Sequence, residues 1–204
     1  MKKILSLLLV VILSCSVFAC GKKNDDSDFQ LGRVTGNTYR NDFIGLSCDI
    51  PIGWKIYNEK ELLALNNLVG DSFDAKTAER LKNAQIVYDM CATHETNGHS
   101  INVNFEKVPY DAKKLDLKKN IEAQFDAIRT SYVNMGYTNI NISYQKVKVD
   151  GKEYDGLRLN AKIEGVDVYM IGFMYVKGNY VVNVSVGSVM TDQTQTFLSS
   201  FKVS

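Results

Sequence analysis

The run from Tyr137 to Val186 constrains the fold of this 204-residue chain most strongly, because it alternates β-forming stretches with turn-forming groups. These groups are Asp150-Gly151, Glu164-Gly165 and Lys177-Gly178-Asn179. Their spacing is that of a meander, so we predict four antiparallel strands. The segment from Tyr169 to Val176 is almost continuously apolar, which indicates an interior strand of the sheet.

The residues before this run predict a strand followed by two helices. Apolar side chains at every second position from Ile44 to Ile50 are typical of a strand with one face in the core. Asn58 and Glu61 have the spacing of a capping box, which opens a predicted helix. A second short helix is expected over residues 75–82.

A hairpin and a long helix are predicted next. The β-rich residues 86–93 and 100–108 flank a segment containing Asn97-Gly98, a pair that favours a hairpin turn. A helix capped by Asp116 and ended by Gly136 follows. Its apolar stripe consists of Ile121, Phe125, Ile128, Tyr132 and Met135.

The last predicted helix is capped by Thr191. Phe197, Leu198 and Phe201 are expected to dock this helix on the sheet. With helices and antiparallel strands in separate parts of the chain, the sequence predicts the α+β class.

The N-terminus has the layout of an export signal. Lys2 and Lys3 supply positive charge, residues 4–13 are apolar apart from Ser6, and small residues follow. This run is too short to cross a bilayer core of about 30 Å, which needs roughly 20 apolar residues. We therefore expect the segment to be cleaved.

The sequence Val17-Phe18-Ala19-Cys20-Gly21 resembles the lipobox of bacterial lipoproteins. The resemblance implies diacylglyceryl transfer to Cys20 and cleavage before it. A cleaved signal with an incidental cysteine is the alternative, and Ile12-Leu13-Ser14-Cys15 is a second candidate lipobox. We predict a signal peptide over 1–19, a lipidated cysteine and flexible tether over 20–35, and one domain over 36–204. Its acyl chains would hold the domain at the extracytoplasmic face of the cell membrane.

Charge and motifs exclude several function classes. Removing Lys2 and Lys3 from the 24 basic residues leaves 22 against 23 acidic ones. Binding of nucleic-acid phosphates needs a clustered basic excess, so no nucleic-acid partner is expected. The sequence has no nucleophile elbow, phosphate-binding glycine loop or dinucleotide fingerprint, and we expect no cofactor.

Two cysteines lie in the predicted domain, Cys48 and Cys91. An oxidising exterior permits a disulfide between them, which would stabilise the fold by about 4 kcal/mol in the chain-entropy description. Two buried free thiols are the alternative, and the sequence leaves both open.

The residues around the first predicted strand carry a family resemblance. The motif reads Tyr39-x-x-x-Phe43-x-Gly45-Leu46-x-x-x-Ile50-Pro51-x-Gly53-Trp54. With the order of predicted elements, it resembles the PsbP-like fold from about Gly36 to the C-terminus. That family includes an extrinsic photosystem II subunit, Ran-binding nuclear proteins and uncharacterised lipoproteins of low-GC Gram-positive bacteria. The resemblance implies an α/β/α sandwich around an antiparallel sheet and no shared activity; a cystatin-like or NTF2-like helix-on-sheet fold is the alternative.

The hairpin loop contains candidate metal ligands, His94, Glu95 and His99. A helical zinc-protease motif needs two histidines four positions apart, whereas these are five apart with Asn-Gly between them. These three residues therefore either bind a metal ion in the loop or are exposed polar side chains without such a role. Cys91 and His94 are not predicted to act as nucleophile and base, because strand residues three apart point to opposite faces.

Tyrosines of the meander suggest a contact surface. Tyr144, Tyr154 and Tyr180 are the candidates, and packing against the long helix is the alternative. We predict a non-enzymatic, lipid-anchored interaction module with an envelope-protein partner. A small-ligand or metal-binding lipoprotein is the second hypothesis, which a pocket with convergent polar groups would favour, and a surface hydrolase is the third.

Overall fold

A computed structural model describes residues 29–68, 73–108 and 112–204. In chain order the strands are β1 (Arg33–Thr35), β2 (Thr38–Asn41), β3 (Leu46–Asp49), β4 (Lys55–Ile56), β5 (Ile86–Thr93), β6 (Ser100–Lys107), β7 (Tyr137–Val149), β8 (Lys152–Ile163), β9 (Val166–Lys177), β10 (Tyr180–Val189) and β11 (Phe201–Val203). The helices are α1 (Glu59–Leu65), α2 (Ala75–Lys82), α3 (Leu117–Ala123), α4 (Phe125–Asn134) and α5 (Thr194–Leu198). The predicted signal peptide, Cys20 and the tether to residue 28 lie outside the described residues.

The strands form two antiparallel sheets. Seven strands pair in the order β4-β5-β6-β10-β9-β8-β7, and four pair in the order β1-β2-β3-β11. The four strands of the predicted meander are β7 to β10, each paired with the next along the chain. The α+β class and the antiparallel sheet predicted from the sequence are confirmed, and β9 is interior as expected.

The seven-stranded sheet is buried on both faces by two separate clusters. Ile171 and Phe173 of β9 point to the first face, and Phe173 contacts Phe201 of the smaller sheet at 6.0 Å between ring centroids. Met170 and Met174 point to the second face, where α3 and α4 pack. One outer layer is therefore helical, whereas the other consists mainly of the four-stranded sheet.

The two helices after β4 were predicted correctly. Asn58 accepts the Glu61 N–H at 3.0 Å, and Glu61 accepts the Asn58 N–H at 3.0 Å, which completes the capping box of α1. Helix α2 occupies residues 75–82 and is capped by Asp74. Within the described ranges, no helix is both long and apolar enough to cross a bilayer.

The predicted long helix is interrupted. It divides at Gln124 into α3 and α4, and its stripe residues Ile121, Ile128 and Tyr132 are buried on the second face as expected. Helix α3 contacts β8 most, whereas α4 contacts β7. The break thus lets α3 lie against both β8 and β7, whereas α4 lies against β7.

The prediction for the last helix was wrong in its limits. Helix α5 begins after Gln193 rather than Thr191, and Asp192 accepts the Thr194 N–H and hydroxyl. Phe197 and Leu198 dock it as expected. Phe201 belongs instead to β11, which pairs with β3.

The folded domain begins earlier than the predicted boundary at residue 36. The ring of Phe29 contacts Phe43 and Phe105 at centroid distances of 5.6 and 5.9 Å. Residues Arg33–Thr35 form β1. The segment from residue 29 is therefore part of the packed domain rather than a flexible tether.

A buried carboxylate joins this segment to both sheets. Asp89 lies at a bulge of β5 and accepts the Tyr39 hydroxyl at 2.5 Å, the Asn41 side-chain amide at 2.7 Å and the Gly32 N–H at 2.9 Å. Burial raises the pKa of Asp89, and these three hydrogen bonds oppose the rise. No local sequence pattern indicates this network, because its members are separated by up to 57 positions.

Replacing Gly156 with alanine is expected to destabilise the large sheet. A Cβ atom there would lie 2.3 Å from the Gly172 carbonyl oxygen and 2.6 Å from Val147 Cγ2. Strands β8 and β9 would have to separate, which should cost about 1 to 3 kcal/mol of unfolding free energy in urea. Gly172→Ala is the matched control, since its Cβ would lie 3.5 Å from the nearest atom. Equal losses in both variants would contradict the steric explanation.

Candidate functional site

The hairpin loop between β5 and β6 places its two histidines differently from the prediction. The His94 N–H donates to the His99 carbonyl at 2.9 Å, which closes the loop. His99 is buried at 5 % exposure, whereas Glu95 is exposed. Throughout the described ranges, no group of three His, Cys, Asp or Glu residues is arranged to hold a metal ion. The proposed loop metal site of His94, Glu95 and His99 is therefore not formed.

His99 instead lies in an aromatic cluster with Trp54 and Phe197. Its ring stacks on Trp54 at 6.2 Å and contacts Phe197 at 5.3 Å, and Trp54 meets Phe197 edge-on at 5.0 Å. His94 closes the cluster at 6.1 Å from both Trp54 and His99. The Pro-x-Gly-Trp turn, the hairpin loop and α5 thus meet at one end of the sheet.

His99 also supports the turn that leaves β10. Its Nδ1 accepts the Val189 N–H at 3.2 Å and lies 3.5 Å from the Ser188 hydroxyl. That hydroxyl donates to the Thr191 carbonyl at 2.5 Å and accepts the Gln193 N–H at 3.1 Å. The turn after β10 is therefore held both by His99 and by the Ser188 hydroxyl.

This turn holds Met190 in an unfavourable conformation. The Thr191 N–H donates to the Val189 carbonyl at 2.9 Å, and Met190 between them has a φ of 69°. A γ-turn with positive φ is rare and strained, and a non-glycine residue in such a region costs on the order of 1 kcal/mol. The result is a methionine side chain that is 73 % exposed.

A second apolar side chain projects from the same end of the molecule. Ile52, two residues before Trp54, is 93 % exposed. We call Ile52, Trp54, His94, His99 and Met190 the rim. Its exposed members, Ile52 and Met190, are apolar, and its buried member, His99, supports the turn that presents Met190. Such exposed apolar side chains are suited to contact with another molecule.

The imidazole of His99 is held in its neutral form. Burial and the nearby His94 lower the pKa of His99 below its ordinary value. Nδ1 can accept the Val189 N–H only while it carries no proton. Protonation of His99 would therefore remove the hydrogen bond that supports the turn at Met190.

Acidification is expected to destabilise the protein through His99. Because the pKa is lower in the folded state, the unfolded chain binds the proton more readily. The stabilising contribution is full above about pH 6.5 and is lost as pH falls toward the lowered pKa. Unfolding free energies from about pH 7 to about pH 5 measure this slope. His99→Asn, whose amide oxygen can accept the Val189 N–H without titrating, should flatten it; equal slopes in both proteins would contradict the assignment.

The two cysteines lie on different sheets and are free. Cys48 is on β3 and Cys91 on β5, and both are buried. Burial raises the pKa of each thiol to about 12. The Cys91 thiol donates to the Asn102 side-chain oxygen at 3.0 Å. Thiols in such surroundings are poor nucleophiles, since the thiolate is the reactive form.

The predicted tyrosine surface is only partly formed. Tyr180 is 3 % exposed and packs on Phe43 and Phe105, so its assignment to an exposed surface was wrong. Tyr154 is half-buried against Phe173. Tyr144 is half-buried and donates to Asp155 at 2.6 Å. These side chains are occupied within the fold and do not form a continuous patch.

Comparison with known proteins gives structural likenesses alone. No protein-family model matches the chain, and no curated protein matches it. The chain is similar to cyanobacterial PsbP (CyanoP) from Synechocystis, at 13% identity over 92% of this chain and 99% of that chain, with a TM-score of 0.47. It is also similar to LpqN, involved in cell envelope biogenesis of Mycobacterium tuberculosis, at 8% identity over 75% of each chain, with a TM-score of 0.38. The first is a PsbP protein, the fold family that the sequence motif resembles; at these TM-scores neither likeness carries a functional argument.

Proposed function

We propose that this protein is a lipid-anchored, extracytoplasmic interaction module that docks a protein partner through the rim. The observation that carries the proposal is the exposure of Ile52 and Met190 beside the buried His99 and the half-buried Trp54. Exposed apolar side chains on a rigid support are typical of protein contact sites.

The strained turn at Met190 supports this choice of surface. A polar residue or glycine would satisfy the turn at lower cost, since glycine adopts positive φ freely. Local features that work against stability are expected where function requires them. Methionine is also flexible and polarizable, and it adapts to the shape of a partner.

The anchor rests on the lipobox around Cys20. Phe29, which is already packed in the domain, follows Cys20 by nine positions. A fully extended chain of that length reaches at most about 30 Å. The proposal therefore places the domain, and any partner of the rim, close to the membrane surface.

The proposal treats the protein as a binding module without catalytic activity. The chemistry of the groups that could act as nucleophile or base supports this. The raised pKa of Cys91 disfavours its thiolate, and Nδ1 of His99 is occupied by the Val189 N–H. Both side chains serve the packing of the domain.

Site-specific photo-crosslinking in native cells tests the docking surface. A photo-reactive amino acid is placed at Ile52 or at Met190 of the full-length protein, and at Val133 as a matched control. Val133 is also apolar and is 57 % exposed, but it lies on α4. We expect the same envelope protein to be captured from both rim positions and not from Val133.

A second variant tests whether the captured protein binds at the rim. Ile52→Asp introduces a charge into the contact, so it should reduce capture from position 190 by about tenfold or more. Equal capture from Val133, or capture from position 190 that Ile52→Asp leaves unchanged, would overturn the proposed docking surface.

A further inference from the structure

One end of the molecule carries cationic side chains around the contact between Gly45 and Ser204. The Ser204 N–H donates to the Gly45 carbonyl at 2.9 Å. A Cβ atom placed on Gly45 would lie 3.0 Å from the Lys177 ammonium nitrogen. The Lys152 ammonium donates to the Val203 carbonyl at 3.3 Å. Two lysines from different hairpins therefore meet at this contact.

Three further cations lie beside these two lysines. Lys107 and Lys177 are both paired with Tyr180, one on each side of it in the sheet. Arg40 and Lys202 line a cleft next to the same contact. We call this cluster the basic end; its members are Arg40, Lys107, Lys152, Lys177 and Lys202.

Positive charge exceeds negative charge at the basic end. The acidic side chains that line the same cleft are Asp42 and Asp150. Asp42 pairs with Arg40 at 2.6 Å, but the two side chains are 70 % and 72 % exposed, so this pair contributes little and can exchange for another anion. Glu153, further along β8, is opposite Lys148 in the register. Five cations against two side-chain carboxylates attract an anionic partner.

The segment that leads toward Cys20 enters the domain at this same end. The ring of Phe29 contacts the ring of Tyr180 at 6.5 Å between centroids. Tyr180 is the residue that pairs with Lys107 and Lys177. Since Phe29 follows Cys20 by nine positions, the connection spans at most about 30 Å. A bilayer that holds Cys20 is therefore within reach of the basic end.

The rim lies at the opposite end of the seven-stranded sheet. The Met190 N–H donates to the Asp167 carbonyl at 2.8 Å near the start of β9, whereas Lys177 ends that strand. A strand rises about 3.3 Å per residue, so the ten positions from Asp167 to Lys177 place the two ends roughly 33 Å apart. Three cations toward the rim are each paired with a carboxylate: Lys55 with Glu61, Arg158 with Asp192, and Lys162 with Asp167.

We propose that the basic end binds the anionic headgroups of the phospholipid bilayer to which the protein is attached, an inference that rests on the proposed attachment at Cys20. Exposed ammonium and guanidinium groups are attracted to an anionic bilayer, and the attraction falls off within about a Debye length. The short tether keeps the bilayer near these cations, so weak contacts suffice. The domain then stands on the membrane with the rim directed away from it.

Lysine footprinting on vesicles tests this orientation. The mature chain from Cys20 is coupled through that thiol to a maleimide lipid. Cys48 and Cys91 are buried, and burial raises the pKa of each thiol to about 12, so they do not compete for the coupling. Lysines are then acetylated, and mass spectrometry measures the rate at each position. The vesicles are phosphatidylcholine alone or an equal mixture of phosphatidylcholine and phosphatidylglycerol.

Phosphatidylglycerol is expected to slow acetylation of Lys177 and Lys202 by about threefold or more, because headgroups cover these amines. Lys162, toward the rim, is the internal control and should react at the same rate on both vesicles. Salt at about 1 M should remove the protection, since it shortens the Debye length to about 3 Å. Equal rates for Lys177 and Lys202 on the two vesicles overturn the proposal. So does protection that follows the density of protein rather than lipid charge, because it would indicate contact between copies of the chain.

Charge reversal locates the contact within the fold. Lys177→Glu combined with Lys202→Glu should abolish the protection of Lys152 by phosphatidylglycerol. Both substituted side chains are exposed, so the melting temperature should change little. Lys55→Glu combined with Lys162→Glu is the matched control, with the same change of charge toward the rim, and should leave Lys152 protected. Protection of Lys152 that survives the first pair of substitutions contradicts the proposal.

The chemical coupling supplies the attachment whether or not cells lipidate Cys20. A negative result on vesicles therefore concerns the basic end alone. Loss of the anchor is detected separately, by fractionation of cells that carry Cys20→Ala, and loss of the rim contact by crosslinking from Ile52 and Met190.

Discussion

Replacing Asp89 with alanine is expected to lower the unfolding free energy by about 3 to 5 kcal/mol. The change leaves the Tyr39 hydroxyl, the Asn41 amide and the Gly32 N–H without their acceptor in a buried site. Tyr39 is fully buried, so water cannot replace the lost carboxylate without opening the space between the two sheets. Denaturation in urea measures the loss.

Two companion variants separate this effect from a general loss of charge. Asp49→Ala, in the exposed hydrogen bond to Thr38, should cost less than about 0.5 kcal/mol. Asp89→Asn retains one acceptor oxygen but turns an amide toward two donors, so an intermediate loss is expected. A loss for Asp89→Ala no larger than that for Asp49→Ala would refute the role of the network.

Replacing Cys20 with alanine is expected to release the protein from the membrane, or to leave an uncleaved precursor. The thiol is the atom that would receive the diacylglyceryl group, and each acyl CH₂ in the bilayer contributes about 0.8 kcal/mol to anchoring. Fractionation of cells and intact mass of the product measure the outcome.

Cys15→Ala is the matched control for the second candidate lipobox. It removes a thiol from the same segment and should leave processing and membrane attachment unchanged. A Cys20→Ala protein that is still cleaved and membrane-bound would disprove lipidation at Cys20. Release on replacement of Cys15 would assign the anchor to that residue instead.

The meander could be predicted from sequence because its information is local. Turn residues at Asp150-Gly151 and Glu164-Gly165 adopt positive φ, as the glycines and Asp150 suggest, and strands joined by short turns pair with their neighbours. The capping box at Asn58 is local in the same sense. In each case the residues that indicate the structure lie within a few positions of the residues that make the contact.

The pairing that completes the four-stranded sheet could not be predicted, because β3 and β11 lie near opposite ends of the described chain. Strands β1 and β11 have three residues each, too few for a periodic pattern. Phe201 was assigned to a helix for this reason, although it pairs with Cys48. The hydrogen bonds of Asp89 likewise join residues that are far apart in the sequence.

The candidate site was predicted only in part from the sequence. The Trp54 turn and the hairpin histidines attracted attention from the sequence, but the hairpin pattern assigned His99 to an exposed loop. Only the fold shows that Trp54, Phe197 and the end of β10 enclose it. The positive φ of Met190 has no sequence signal, since methionine does not favour that conformation.

The pairing of β11 with β3 also governs the order in which the domain can be completed. Lys202 lies directly opposite Ser47, so the edge of β3 gains this neighbour only after all the strands that lie between them in the sequence have been made. Until then β3 presents unpaired backbone groups that can pair with another emerging chain. Loss of the pairing between β11 and β3 would therefore leave an exposed strand edge that can adhere to other chains.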